Sequence, residues 1–183
     1  MTDYHGACKS GSRIENLVWK KLKGFGYTII TTQKDVAQYH GFQLTKGGNV
    51  KRKDVPFCRE YLEGRRKLPI PPNKGYDKFK ENFLSDGFSP ELNAFFEIKG
   101  GLIDGTADEK IMADIGKIKD GVYGDYHLFY IFQGIMEENK WTHKFIFDLN
   151  ELKESGNIYA QTVTVLMFSE LTKETLEEIC PLT

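Results

Sequence analysis

Apolar and polar positions divide this chain into helices and strands around one unpatterned middle stretch. Ile14, Leu17, Val18, Leu22 and Phe25 recur at helical spacing, and Gly24 and Gly26 mark that helix's end. Ser12 and Glu15 form a capping-box pair that sets its start. Tyr27 to Thr32 reads as a short β-branched strand. From about Gln33 to Asn82 no period holds, and a stretch of that length in a compact domain either folds locally or serves a function. Phe83 to Phe88 then reads as a short strand, Ser89 to Asn93 as a turn built on Pro90 and Asn93, and Ala94 to Lys99 as a buried strand. Thr106 and Glu109 make a second capping box. It opens a helix whose apolar face is Ile111, Met112, Ile115 and Ile118 and which closes near Asp120 and Gly121. Tyr126 to Gln133 is a central buried strand, with His127 at its start a satisfied edge histidine. Trp141 to Phe147 alternates as another strand, and Asp148 to Glu154 reads as a short helix. Thr162 to Phe168 is a last strand, and Thr172 caps a terminal helix running to Ile179. The series predicts an α/β chain, a mixed β-sheet flanked by helices on both faces, without internal repeats.

Length sharpens this to one domain spanning 1–183, large enough to bury a core without covalent staples. Cys8, Cys58 and Cys180 are odd in number and widely spaced, which argues against a disulfide framework or a zinc site. The start, Met1 to His5, lacks signal-peptide architecture, and no run approaches the roughly 20 apolar residues of a membrane span. The expectation is a soluble intracellular protein, cytoplasmic in a prokaryotic host.

Charge changes the reading of the middle stretch. The chain is near neutral, 25 basic residues against 26 acidic, so any attraction to nucleic acid must come from clustering. Between Lys46 and Lys67 lie eight basic residues and three acids, and Lys51, Arg52, Lys53, Arg65, Arg66 and Lys67 are the candidates for phosphate contact. Gly47 and Gly48 suggest a mobile tip to this basic insertion at about 33–82, and Leu68 to Pro72 an extended, stiff connector.

The candidate chemistry lies on the hairpin. Side chains alternate along a strand, so Phe95, Glu97 and Lys99 share one face while Phe96 and Ile98 take the other. An antiparallel return from the turn brings Asp86 near the level of Glu97. Two carboxylates suit a hard divalent cation such as Mg2+, and an adjacent lysine can orient water or steady charge on a phosphate. The reaction class implied is metal-assisted phosphodiester hydrolysis. Acid-x-Lys occurs four times in the chain, at Glu97, Asp108, Glu138 and Glu151, and only Glu97-Ile98-Lys99 is embedded in an apolar strand. Gly100 and Gly101 follow it and suit either a bend or the close approach of a DNA strand.

Asp86, ten intervening residues and then Glu97-Ile98-Lys99 resembles the active site of PD-(D/E)xK nucleases, with Ser85 where that family often has proline. The continuation through Gly100-Gly101 and Gly105-Thr106-Ala107-Asp108-Glu109-Lys110-Ile111 is similar, more narrowly, to type II restriction endonucleases. The resemblance covers Gly11 to about Gln133. It implies a restriction-endonuclease-like core and Mg2+-dependent cleavage of double-stranded DNA at a short specific sequence, with Asp86, Glu97 and the backbone carbonyl of Ile98 holding the metal and Lys99 acting on the attacking water. It also implies a homodimer on a palindromic site and a cognate DNA methyltransferase in the same organism. Glu15 has two readings, helix cap or accessory acid. Gln133 is an accessory candidate near the site, and Asp108, Glu109 and Lys110 would support it from outside. Two alternatives stay open: a structure-specific repair or Holliday-junction nuclease, and a DNA-binding module with an inert nuclease core.

Overall fold

The computed structural model describes residues 4–69, 82–101, 107–124 and 126–180. Four strands form the main sheet in the order β3 (Gly87–Ser89), β4 (Ala94–Gly101), β5 (His127–Gly134), β6 (Val163–Met167). The sheet is mixed: β3 pairs antiparallel with β4, whereas β4, β5 and β6 run parallel. Parallel neighbours require crossover connections. Here α4 (Ala107–Lys119) provides one, and α5 (Lys140–Glu154) with the single turn α6 (Ile158–Gln161) provides the other.

Alternation along the parallel strands separates two cores. Phe96, Ile98, Phe129 and Ile131 pack with Ile14, Val18, Trp19 and Leu22 of α1 (Tyr4–Gly24) and with Leu176 of α7 (Lys173–Ile179). Phe95, Tyr130 and Phe132 face the other way, onto Ile111 and Ile118 of α4 and Phe145 and Leu149 of α5. The expected α/β class with helices on both faces is therefore present. The hairpin turn is also where it was expected, closed by Asn93 N–H donating to the Pro90 carbonyl at 3.2 Å with Asn93 at φ 46°.

Several local expectations give way to stronger local chemistry. The first helix begins at Tyr4, so Ser12 and Glu15 lie inside it and do not cap it. Tyr27 to Thr32 makes only an isolated bridge, Ile30 with Phe88, because Asp35 captures the amides and hydroxyls of Thr31 and Thr32 in a capping box. That box opens α2 (Gln33–Tyr39). The middle stretch folds locally: α2 and α3 (Val55–Arg66) enclose a small core of Ile30, Val36, Ala37 and Cys58. Gly47 and Gly48 sit in a hydrogen-bonded turn between Thr45 and Asn49. Of the stiff connector, Leu68 and Pro69 belong to β1 (Lys67–Pro69), and the rest lies outside the described residues.

The strand expected from Phe83 to Phe88 splits at Ser85 and Asp86. Its first half, β2 (Asn82–Leu84), pairs with β1, and only its second half pairs with β4. Trp141 to Phe147 is not a strand but the front of α5. Asn139 caps that helix by accepting from the Trp141 amide at 2.9 Å, and the stripe Trp141, Phe145, Leu149, Leu152 is helical, leaving Phe147 60% exposed. The C-terminal portion thus contributes one sheet strand, not two. The capping residue Thr106 lies outside the described residues, whereas the caps at Thr172 and the stop at Gly121 (φ 72°) are as expected.

Candidate active site

The antiparallel β3–β4 pairing does what the hairpin pattern required. Gly87 stands opposite Phe96, and Asp86 N–H donates to the Phe96 carbonyl at 3.2 Å, so Asp86 arrives beside Glu97. Beyond that point β3 has ended, and the Asp86 side chain continues the ladder by accepting from the Ile98 amide at 2.8 Å. In an extended strand the N–H and C=O of one residue leave along the same edge. The Ile98 carbonyl therefore points to the edge where Asp86 lies.

Glu97 faces the α4 side of the sheet and is only 3% exposed. Its Oε2 accepts from Lys99 Nζ at 3.0 Å, while its Oε1 is buried with no hydrogen-bond partner. Burial of this kind costs a carboxylate heavily unless a cation or proton satisfies it. Burial pushes the Glu97 carboxyl up to about 8, against the pull of Lys99 and with the help of Asp86 and Asp114. Lys99 is 19% exposed. Burial pulls its pKa down, but the carboxylates of Glu97, Asp114 and Asp86 outweigh that and hold it above the usual lysine range. The group at position 99 is an ammonium, with an acid on each side.

The second acid, Asp114, was not foreseen. It lies on α4, 1% exposed, with Oδ2 3.1 Å from Lys99 Nζ and accepting from the Tyr130 hydroxyl at 2.6 Å, and with Oδ1 paired to Lys117. Burial would raise its pKa, but the two lysines and the hydroxyl outweigh this and lower it. Its signal in the sequence is an acid at helical spacing within the apolar stripe Ile111, Ile115, Ile118. Tyr130, directly opposite Glu97 in the β4–β5 register, also belongs to the cluster.

The remaining candidates separate. Gln133 stands opposite Gly100, buried, and by alternation lies on the α1 face, the reverse of the face carrying Glu97 and Lys99; its Oε1 has no hydrogen-bond partner. Glu15 is half-buried on α1, beside Ile14, which packs on Gly100. A β-carbon on Gly100 would meet Ile14 Cγ2 at 2.5 Å, so this glycine admits the helix. Asp108, Glu109 and Lys110 fall in the first turn of α4, and their side chains lie outside the described residues. His127 is satisfied by Thr164 Oγ1 at 2.9 Å, and burial lowers its pKa.

The candidate basic residues of the insertion stand at the two ends of α3. Lys51, Arg52 and Lys53 precede α3, where Lys51 donates to Gln43 at 3.0 Å, whereas Arg65, Arg66 and Lys67 lie at its far end, about 18 Å along a helix of this length. The side chains of the latter three lie outside the described residues.

Asp86, Glu97 and the Ile98 carbonyl supply hard oxygen donors on one edge, and the buried, unpartnered Glu97 Oε1 is the atom a cation would satisfy; this donor chemistry fits Mg2+. Among the described residues no group of three His, Cys, Asp or Glu side chains is arranged to hold a metal. No helix among the described residues is long and apolar enough to cross a membrane. Comparison with family models, with curated proteins and with solved structures finds no match for this chain.

Proposed function

We propose that this chain is a Mg2+-dependent type II restriction endonuclease with a restriction-endonuclease-like core, hydrolysing phosphodiester bonds of double-stranded DNA at a short specific sequence. The observation that carries this reading is the convergence, at one sheet edge, of Asp86, a buried Glu97 with an unpartnered oxygen, and a charged Lys99 3.0 Å from that glutamate. Asp86, Glu97 and the Ile98 carbonyl would hold the ion, which when bound polarises the phosphate and acidifies water. Lys99 directs its ammonium to the attacking water and to the charge that develops on the phosphoryl oxygens. The buried Tyr130 ring lies 5.4 Å from that ammonium and limits bulk solvent beside it, which strengthens the interaction. The separately cored insertion carries the phosphate contacts on both ends of α3, and a second copy would present the same surface to the other half of a palindrome. An organism using such an enzyme would protect its own genome with a cognate methyltransferase.

Lys99 already neutralises Glu97 Oε2 at 3.0 Å, a pairing that needs no metal, and this favours the rival reading of a DNA-binding module with an inert core. One experiment separates the readings. The purified protein and its Glu97→Ala variant are incubated with plasmid DNA and Mg2+, and the products are resolved on a gel. Discrete fragments from the parent alone are expected. Nicking or smearing would replace sequence recognition with structure-guided cleavage, and bound but intact DNA in both samples would establish the inert module.

A further inference from the structure

Asp114 has no part in the ligand set above, yet it is among the most tightly held acids in the structure. It is 1% exposed, and every contact described for it is with a donor: Lys99, Tyr130 and Lys117. A carboxylate this deeply buried is costly unless fully paired, and the pairing here converges on the one residue expected to act on water and phosphate. An ammonium has three N–H donors. Lys99 donates one to Glu97 Oε2 at 3.0 Å, and its charge is paired with Asp114 Oδ2 at 3.1 Å. Two carboxylates thus hold the ammonium from two directions, one on its own strand and one on α4, and the Lys99 side chain keeps 19% of its surface exposed. With Glu97 alone, the ammonium would swing about a single hydrogen bond.

We infer that Asp114 is the positioning residue for Lys99, anchoring its ammonium from α4 so that a remaining N–H is aimed at the reacting water or phosphoryl oxygen. Tyr130 and Lys117 hold the anchor itself: the tyrosine comes from the neighbouring strand and the lysine from the next turn of α4. The arrangement also gives Lys99 a partner independent of Glu97, so the lysine keeps its place when the Glu97 oxygens are engaged elsewhere. This inference rests on the nuclease reading for its consequence in catalysis, but the anchoring is measurable without any cleavage.

The test uses the full chain, its Asp114→Asn variant and Asp114→Glu as the conservative change, with thermal unfolding to show that each is folded. Two quantities are read. The first is the rate at which Lys99 is acetylated by a small amine-reactive ester, followed by mass spectrometry with exposed Lys173 as internal standard. Loss of the anchoring carboxylate should free the Lys99 head and raise its labelling rate several-fold, leaving Lys173 unchanged. The second is plasmid cleavage: Asp114→Asn should lose about 100-fold in kcat with KM little altered, the cost of a small misplacement of a reacting group. Asp114→Glu, which keeps the charge, should restore slow labelling and part of kcat. A folded Asp114→Asn protein that labels and cuts like the parent overturns the positioning role and leaves the nuclease reading standing. A parent that protects Lys99 from labelling but cuts no DNA overturns the nuclease reading, and with it the role in cleavage.

Discussion

Gly100 offers a sharp test of how the site is held. It follows Lys99, and a β-carbon there would lie 2.5 Å from Ile14 Cγ2, 3.1 Å from Ile14 Cδ1 and 3.3 Å from the Gln133 carbonyl. The Cγ2 atom sits on a branched carbon whose rotation is restricted, on a side chain only 6% exposed, so it cannot swing aside. The Gln133 carbonyl belongs to the neighbouring strand and yields less still. Gly100→Ala therefore overpacks the α1–β4 contact and should cost about 1–3 kcal/mol. In a chain of this size that corresponds to about 2–12 °C in melting temperature. Ile14→Ala alone should cost about 2–5 kcal/mol through the cavity it opens. In that background most of the cost of Gly100→Ala should disappear, because both Ile14 contacts are gone and only the 3.3 Å approach to the Gln133 carbonyl stays, offset by alanine's restriction of the unfolded chain. Four proteins measured by urea unfolding complete a double-mutant cycle with a coupling of about 0.5–3 kcal/mol. An equal cost of Gly100→Ala in both backgrounds would refute the packing explanation. A variant that melts normally but fails to cut would instead restore the idea that Gly100 makes room for DNA.

Glu97→Ala should abolish cleavage while leaving DNA binding intact, and activity surviving in a gel assay would remove Glu97 from the site. The raised pKa of Glu97, about 8, means that the folded state holds this proton more tightly than the unfolded chain. Its contribution to stability is full below the ordinary value of 4.5 and is lost as pH rises through about 8, so Glu97→Gln should flatten that part of a melting-temperature profile. Binding of Mg2+ there must displace the proton, so the melting shift produced by the ion should be larger at about pH 9 than at about pH 6. An equal shift at both would place the ion elsewhere. Reversing Arg65 and Arg66 to glutamate should weaken DNA binding and reduce its salt slope by about 0.9 for each phosphate that is no longer neutralised. Binding unchanged by the reversal would leave the Lys51–Lys53 end of α3 as the only candidate surface in the insertion.

Local rules were enough wherever a pattern had one good solution. Ala94 to Lys99 is too apolar for a surface and alternates correctly for a strand, so the placement of Glu97 and Lys99 on one face followed from period alone. Pro90 and Asn93 closed the turn, and an antiparallel return then made the approach of Asp86 a matter of counting. Where two local solutions competed, the wrong one could be chosen. Trp141 to Phe147 satisfies both periods over a few residues, and the cap from Asn139 with the longer stripe to Leu152 decided for a helix. Tyr27 to Thr32 has strand propensity, but Asp35 offered its last amides a better partner.

What only the tertiary structure decided is which side chains from distant segments share a face. Asp114 is 15 residues beyond Lys99 and in no recognisable motif with it, and it joins the site only because the β4–α4–β5 crossover lays α4 over the face that carries Glu97. The same packing separates Gln133 from that face, and the helix formed by the insertion places Lys51–Lys53 and Arg65–Lys67 at opposite ends of α3. Spacing along a chain specifies neighbours within a strand or helix, because backbone geometry repeats. Neighbours between elements depend on which apolar faces bury together, and that is a property of the whole sequence at once.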